Sequence, residues 1–442
     1  MNCEILKGNP ASFQKIISDI PGDKSISHRA AILGSLCEGT TTISQYLMSE
    51  DCVNTLHIFK ALGVPIDINT RDQSVQIEGV GLSGLKKPSH SLDVGNSGTG
   101  IRLITGVLAA QPFSSEITGD ASIQKRPMKR IVAPLTAMGA DIKGISASQN
   151  TTPPLCILPA NKLLGITYDM PIASAQVKSC VLLAALWASG ETKLIQPALS
   201  RDHTERMLRF FGVEVKESGL TLSIKGGQTL MAPSSSLTIP SDISSAAFLI
   251  VLALCAQSGY LTLTGINVNP TRDRFLQVLI KMGGKITISN ERNVMSEPVA
   301  DITVTSSDLQ NTHISEEDVP FLIDEIPILS VAALFAKGVF KVTGASELRV
   351  KESDRIQSIV DMVSEMGGKV VAYDDGFEIE GPVKINKFRY GSGGDHRMAM
   401  SAVIAAVASN TPATVENCDC IATSFPQFFV ILQRLTDRIN VL

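Results

Sequence analysis

Apolar residues along this chain alternate between two phrasings, and the alternation returns six times. The first is an Ala- and Leu-rich run, apolar on nearly every side, which predicts a buried helix. A small-residue turn and a strand follow it, as in Leu182-Leu-Ala-Ala-Leu-Trp-Ala-Ser-Gly-Glu-Thr-Lys-Leu and Val331-Ala-Ala-Leu-Phe-Ala-Lys-Gly-Val-Phe-Lys-Val. These helices begin near Ser25, Thr99, Ser174, Ser244, Glu325 and His396. The second phrasing is a helix that closes on glycine before a strand. It reads Phe59-Lys-Ala-Leu-Gly63, Leu135-Thr-Ala-Met-Gly139, Leu208-Arg-Phe-Phe-Gly212, Leu279-Ile-Lys-Met-Gly283 and Val363-Ser-Glu-Met-Gly367, with a degenerate Leu432-Gln-Arg-Leu-Thr436. Glycine suits these stops because a helix commonly ends on a left-handed residue. Hairpins follow several of them, as in Val213–Ile224 around Ser218-Gly219, where apolar residues alternate.

The unit is helix–strand–helix–strand–strand, roughly 70–80 residues long, so each copy is nearly a small α/β fold rather than a short solenoid repeat. Three copies per domain place the apolar helices inside and the sheets outside. The predicted fold is therefore α/β in two domains, each of three repeated units with buried helices and outer mixed sheets, an inside-out α/β barrel. One domain spans 23–240; the other takes 1–22 together with 241–442, and Thr238-Ile-Pro-Ser-Asp242 separates the halves. The leading segment, Met1 to about Ile20, fits neither half by pattern and reads as strand material that pairs with the C-terminal half.

Composition narrows the function classes. With 442 residues, 44% apolar and 19% charged, the chain has the makings of two or three cored domains. A net charge of −4 offers no global attraction to nucleic acid, so any anion site must be a local cluster of cations. The eight cysteines are scattered, mostly within apolar helical runs, and Cys418-Asp-Cys420 lacks zinc-knuckle or redox spacing. Met1-Asn-Cys-Glu does not open like a signal peptide, and the longest apolar run, Ala246 to Ala256, is too short for a bilayer. The expectation is a protein of a reducing cytoplasm.

Chemistry gathers at the starts of the buried helices. Gly22-Asp-Lys-Ser-Ile-Ser-His-Arg29, Gly95-Asn-Ser-Gly-Thr-Gly-Ile-Arg102 and Ala173-Ser-Ala-Gln-Val-Lys178 are richly polar, and Gly393-Gly-Asp-His-Arg397 ends on a cation. More cations stand near the second helices: Lys125-Arg126, Arg201, Arg272 and Lys351-Glu-Ser-Asp-Arg355. Helix N-termini expose unpaired N–H groups, and guanidinium forks match carboxylate and phosphate, so the repeated cations point to a ligand with several anionic groups. Gly95–Gly100 is an anion-nest candidate, without the Gly-Lys-Ser/Thr of a Walker loop or the glycine order of a dinucleotide fold. Asp324 reads either as a helix N-cap or as a base, and Glu352 either as part of a surface ion network or as an acid. His203 reads as orienting or catalytic, and His28 as structural. No metal-ligand spacing and no Ser-His-Asp or Cys-His nucleophile system is present, so no metal or cofactor is expected.

Four of these stretches carry a resemblance: Gly95-Asn-Ser-Gly-Thr-Gly-Ile-Arg102, Lys125-Arg-Pro-Met128, Arg349-Val-Lys-Glu-Ser-Asp-Arg355 and Asp395-His-Arg-Met-Ala-Met400. Along essentially its whole length the chain resembles the 5-enolpyruvylshikimate-3-phosphate synthase family. The resemblance implies two pseudo-threefold domains that close over substrate, a monomeric enzyme, and transfer of enolpyruvate from phosphoenolpyruvate to the 5-hydroxyl of shikimate 3-phosphate through a tetrahedral ketal phosphate. By motif it assigns Lys24, Ser25, Arg29, Ser174, Ala175, Gln176, Arg201, Asp324 and Lys351 to shikimate 3-phosphate. To phosphoenolpyruvate it assigns Lys24, Asn96, Gly98, Arg126, Gln176, Glu352, Arg355 and Arg397. It implies Asp324 as base toward the hydroxyl and Glu352 as proton donor to the methylene carbon, with Lys24 sharing the proton work.

The commoner class of that family carries a lysine before Thr-Phe-Pro, where this chain reads Ala422-Thr-Ser-Phe-Pro426. Gly22-Asp-Lys, Ser174-Ala-Gln-Val-Lys, Arg201-Asp-His-Thr-Glu and Asn269-Pro-Thr-Arg instead resemble its second class, to which the Arg201 contact is peculiar. Two rival readings fit the pattern less well. The sister enzyme acting on UDP-N-acetylglucosamine has a reactive cysteine before an Arg-Pro pair, whereas Gly119-Asp-Ala-Ser-Ile-Gln-Lys-Arg-Pro127 has none. A non-catalytic repeat scaffold encircling nucleic acid is opposed by the negative charge and by Asp324 and Glu352.

Overall fold

Each glycine stop does what its position requires. In a computed structural model describing residues 1–8, 12–144, 151–160 and 162–442, Gly63, Gly139, Gly212, Gly283 and Gly367 all adopt φ between 86° and 102°. Thr436, in the degenerate sixth copy, ends its helix in extended conformation at φ −154°. A side chain with a Cβ meets a steric penalty in the left-handed region, and glycine meets none.

The buried helices run Lys24–Leu36, Gly98–Leu108, Ala175–Ala185, Ile243–Cys255, Ile326–Phe335 and His396–Ser409. Five start on a side-chain cap: Asp23 accepts from Ile26 N–H, Ser97 from Gly100, Ser174 from Val177, Asp242 from Ser244 and Asp395 from Arg397. Such caps satisfy N–H groups that have no partner within the helix. Beyond the first turn these helices are buried on nearly every face, as their apolar runs require.

Among the described residues six open four-stranded sheets accompany them, and all share one strand order. The strand after each buried helix is central, with a parallel strand on one side and two antiparallel strands on the other. In four sheets the parallel strand precedes the buried helix, the crossover geometry that parallel pairing needs. The exceptions close each half. Leu237–Thr238 pairs with Glu38–Ser44, and Ser12–Ile17 pairs with Ser258–Asn267. The Cys3–Ile5 strand completes the sixth sheet between Ala413–Glu416 and Ile439–Val441. The leading segment thus supplies strands to two different sheets. No sheet among the described residues closes on itself; the outer mixed sheets expected from the sequence are separate and open.

The chain divides into two compact units, each with its own apolar core. One unit holds residues 22–239 and 294–297; the other holds 1–21, 240–293 and 298–442. Residues 294–297, expected in the second half, belong with the first, and Met295 is buried in that unit's core. In the second unit the helices Ile243–Cys255, Ile326–Phe335 and His396–Ser409 pack on one another. In the first, Gly98–Leu108 packs against both Ala175–Ala185 and Lys24–Leu36. The packing gathers the helix starts of each unit, and with them the polar residues.

Candidate active site

In the unit of residues 22–239, side chains tie the three helix starts together. Lys24, on the first turn, holds Asp51 at 2.5 Å, with Asp51 only 5% exposed. His28 bridges the first and second starts, with Nδ1 2.7 Å from Thr55 Oγ1 and Nε2 3.3 Å from Ser97 Oγ. Burial above all, and then Lys24 and Arg29, keep His28 well below the usual imidazole range, so it braces as a neutral ring. Ser97 is the cap of helix Gly98–Leu108, so His28 supports the glycine loop from beneath. This fits its reading as structural.

Arg29 links the first helix to the third. Its Nε donates to Thr204 Oγ1 at 2.7 Å, NH1 to Ser25 O at 2.8 Å and NH2 to Ser179 Oγ at 2.8 Å. Burial pushes it down to about 10, against the pull of Glu205 and Asp23. A guanidinium has five donors, so these bonds use part of its capacity. Gln176 Nε2 donates to Thr99 Oγ1 at 3.2 Å and joins the third start to the second. Ser25, Asn96, Ser174, Ala175, Gln176 and Arg201 are all half-buried. Arg126 NH2 lies 3.5 Å from both Asn96 Oδ1 and Ser122 Oγ, beside the bare face of Gly98. A Cβ on Gly98 would stand 2.6 Å from Arg126 NH1. His203, left open between orienting and catalytic roles, is wholly buried with Nδ1 2.8 Å from Glu297 Oε1. It anchors the 294–297 segment inside its unit.

In the other unit one guanidinium organises the acids. Arg355, 1% exposed, donates from Nε to Asp395 Oδ2 at 2.8 Å and from NH2 to Glu352 Oε2 at 2.6 Å. Its NH1 lies 3.4 Å from Asp324 Oδ1, and Lys351 Nζ lies 3.7 Å from the same oxygen. Burial alone would lower Arg355, but Asp395, Glu352 and Asp324 outweigh it and hold the cation far above its ordinary value. Burial likewise works to raise Asp395, and the Arg355 charge reverses this, leaving the carboxyl below the ordinary aspartate range. Asp324 and Glu352 remain 17% and 21% exposed, open to a ligand while held by cations. The structure decides against the cap reading of Asp324, because Glu325 occupies the N-cap position of helix Ile326–Phe335. Arg397 NH1 donates to the Asp324 carbonyl at 2.9 Å.

Two residues here carried no role in the sequence reading. Asp395 stood inside a motif whose only assigned member was Arg397, although an Asp directly before an apolar helix is a recognisable cap signal. Glu325 was named only as the start of a buried helix. Among the described residues no group of three or more His, Cys, Asp and Glu side chains could hold a metal ion. All eight cysteines are free thiols, five of them buried.

Paired three-repeat units with cations and carboxylates gathered at helix starts are the fold of the enolpyruvyl transferases. The solved enolpyruvyl transferase NikO from Streptomyces tendae shares that fold at a TM-score of 0.76, with 16% identity over 99% of this chain and 98% of that one. More narrowly, this chain belongs to the EPSP synthase (3-phosphoshikimate 1-carboxyvinyltransferase) family, whose family model matches residues 9–432. The 3-phosphoshikimate 1-carboxyvinyltransferase of Brevibacillus brevis is 46% identical over 94% of this chain and 96% of its own. That of Geobacter sulfurreducens is 43% identical over 98% of this chain and 99% of its own. The solved EPSP synthase from Acinetobacter baumannii has a TM-score of 0.87 and 44% identity, covering 99% of each chain.

Proposed function

We propose that this enzyme transfers the enolpyruvyl group of phosphoenolpyruvate to the 5-hydroxyl of shikimate 3-phosphate, releasing inorganic phosphate, in aromatic amino acid biosynthesis. In the addition, the 5-oxygen bonds to C2 of phosphoenolpyruvate as its proton leaves and another proton reaches the C3 methylene, making it methyl. In the elimination, that methyl returns a proton, the C2–O bond to phosphate breaks, and the enol ether re-forms. Protons therefore move to and from two positions. Asp324 takes the hydroxyl proton, Glu352 gives and retrieves the carbon-bound one, and Lys24 shares the transfer. Both substrates and the intermediate carry phosphate and carboxylate groups. Lys24, Arg126, Arg201, Lys351, Arg355 and Arg397 stabilise that charge as it is redistributed. Ser25, Arg29, Ser174, Ala175 and Gln176 orient shikimate 3-phosphate, while Asn96 and Gly98 leave room for phosphoenolpyruvate. The enzyme works as a cytoplasmic monomer without a cofactor.

The observation that carries this reading is that one buried guanidinium, Arg355, binds two partly exposed carboxylates, Asp324 and Glu352. An acid and a base for the same reaction need such fixed neighbours. The test is phosphate release from phosphoenolpyruvate, with shikimate 3-phosphate or UDP-N-acetylglucosamine as acceptor. Release with shikimate 3-phosphate alone is expected; release with the sugar nucleotide, or with neither acceptor from folded protein, would overturn the reading.

Gly98→Ala probes the phosphoenolpyruvate side separately. The added Cβ meets two guanidinium tips, Arg126 NH1 at 2.6 Å and Arg102 NH1 at 3.0 Å, so stability should change by no more than about 1 kcal/mol. The displaced Arg126 guanidinium should raise KM for phosphoenolpyruvate by about tenfold, since small misplacements of a clamping group weaken binding. KM for shikimate 3-phosphate should stay nearly constant, and steady-state titration of each substrate measures both.

A further inference from the structure

One carboxylate joins all three helix starts of the unit that carries Asp324. Glu325 is 1% exposed, and its Oε1 accepts a short hydrogen bond from Ser244 Oγ in the first turn of helix Ile243–Cys255. The same oxygen lies 3.6 Å from Arg397 NH1, in the first turn of helix His396–Ser409, and 4.0 Å from Arg272 NH2. Arg272 NH2 donates in turn to Ser244 Oγ at 2.5 Å and lies 3.4 Å from Asp242 Oδ1. A chain of polar contacts thus runs from the Asp242 cap through Arg272, Ser244 and Glu325 to Arg397.

Capping does not account for this carboxylate. Glu325 sits at the N-cap position of its own helix, yet its side chain makes no cap bond. Its Oε2 is buried without a hydrogen-bond partner. An incompletely satisfied buried carboxylate costs stability unless charge pairing offsets it, and a core needing only volume is served better by an apolar side chain. Glu325 instead faces Arg397, whose NH1 also donates to the Asp324 carbonyl at 2.9 Å. That nitrogen is therefore held from two sides. Arg397 is 13% exposed, and its Nε and NH2 bond no acceptor among the described residues. A guanidinium fixed at one nitrogen, with its other donors uncommitted, is arranged for bidentate capture of a carboxylate or phosphate.

We propose that Glu325 is a positioning residue: it aims Arg397 at the anionic end of phosphoenolpyruvate and, through the same nitrogen, fixes the backbone at Asp324. This rests on the reading of Arg397 as a phosphoenolpyruvate contact. Supporting groups of this kind set the geometry of the residues that touch the ligand.

The test is Glu325→Gln, which keeps the shape and removes the charge facing Arg397. KM for phosphoenolpyruvate should rise about tenfold or more, with KM for shikimate 3-phosphate changing less than about threefold, because only one substrate's clamp is loosened. Both constants are read well below the unfolding temperature of each protein. Should this variant fail to fold, Ser244→Ala deletes one hydroxyl of the same chain and should move KM for phosphoenolpyruvate in the same direction by a smaller factor. The unaltered enzyme is assayed first. If it releases no phosphate with shikimate 3-phosphate, the reading of the reaction fails and the proposal with it. If it is active and the variant lowers only the unfolding temperature, or raises both KM values equally, the proposal alone is overturned.

Discussion

Asp324→Ala and Glu352→Gln should each lower turnover by about a hundredfold or more, the usual scale for losing a placed acid or base. The two substitutions probe different protons. Glu352→Gln preserves length and a bond to Arg355, which now meets Glu352 Oε2 at 2.6 Å, but the amide cannot deliver a proton to carbon. The expected signature is that exchange of the phosphoenolpyruvate methylene hydrogens with solvent stops, while both substrates still bind. Asp324→Ala removes the acceptor for the hydroxyl proton and leaves Lys351 and Arg355, at 3.7 and 3.4 Å, without that partner. It should slow carbon–oxygen bond formation itself. Rapid-quench turnover and isotope exchange separate the steps. Near-normal turnover in both variants would remove these residues from the chemistry.

Arg355→Met should have the largest effect on stability. Asp395 is fully buried, and its main counter-charge is Arg355 at 2.8 Å. Removing one partner of a buried pair leaves an uncompensated charge and costs about 3–5 kcal/mol. Denaturant unfolding at neutral pH measures the loss. The pH dependence adds a sign. In the unaltered protein Asp395 is held below the ordinary aspartate range, so its contribution is present at neutral pH and is lost as pH falls through its folded value. Without Arg355, burial pushes the same carboxyl upward, and the folded state then takes up protons more readily than the unfolded chain. The variant's deficit should therefore shrink as pH falls from 7 toward 5. A deficit independent of pH would mean that Asp395 finds another counter-charge.

Much of the architecture was readable because it is local and repeated. Glycine stops and buried-helix starts depend on a few neighbouring residues, and the structure begins each of these helices within a residue of its expected start. The residues brought together around Arg355 were likewise readable as motifs, since Lys351, Glu352 and Arg355 lie in one short stretch. Their partners were less visible. Arg355 meets Asp395 across 40 positions, and Ser244 meets Glu325 across 81. Glu297 reaches His203 from 94 positions away, within a segment that the pattern placed in the other half.

The sequence by itself determined the repeat, the helix ends, the class of the fold and the stretches where cations and acids cluster, because periodicity, caps and turns are set by neighbours along the chain. Only the tertiary structure decided which charges share a buried setting, which strand positions the first residues fill, and that Glu325 faces Arg397. Those outcomes depend on helices packing across long sequence separations. A buried charge is tolerated only where the finished fold supplies its partner.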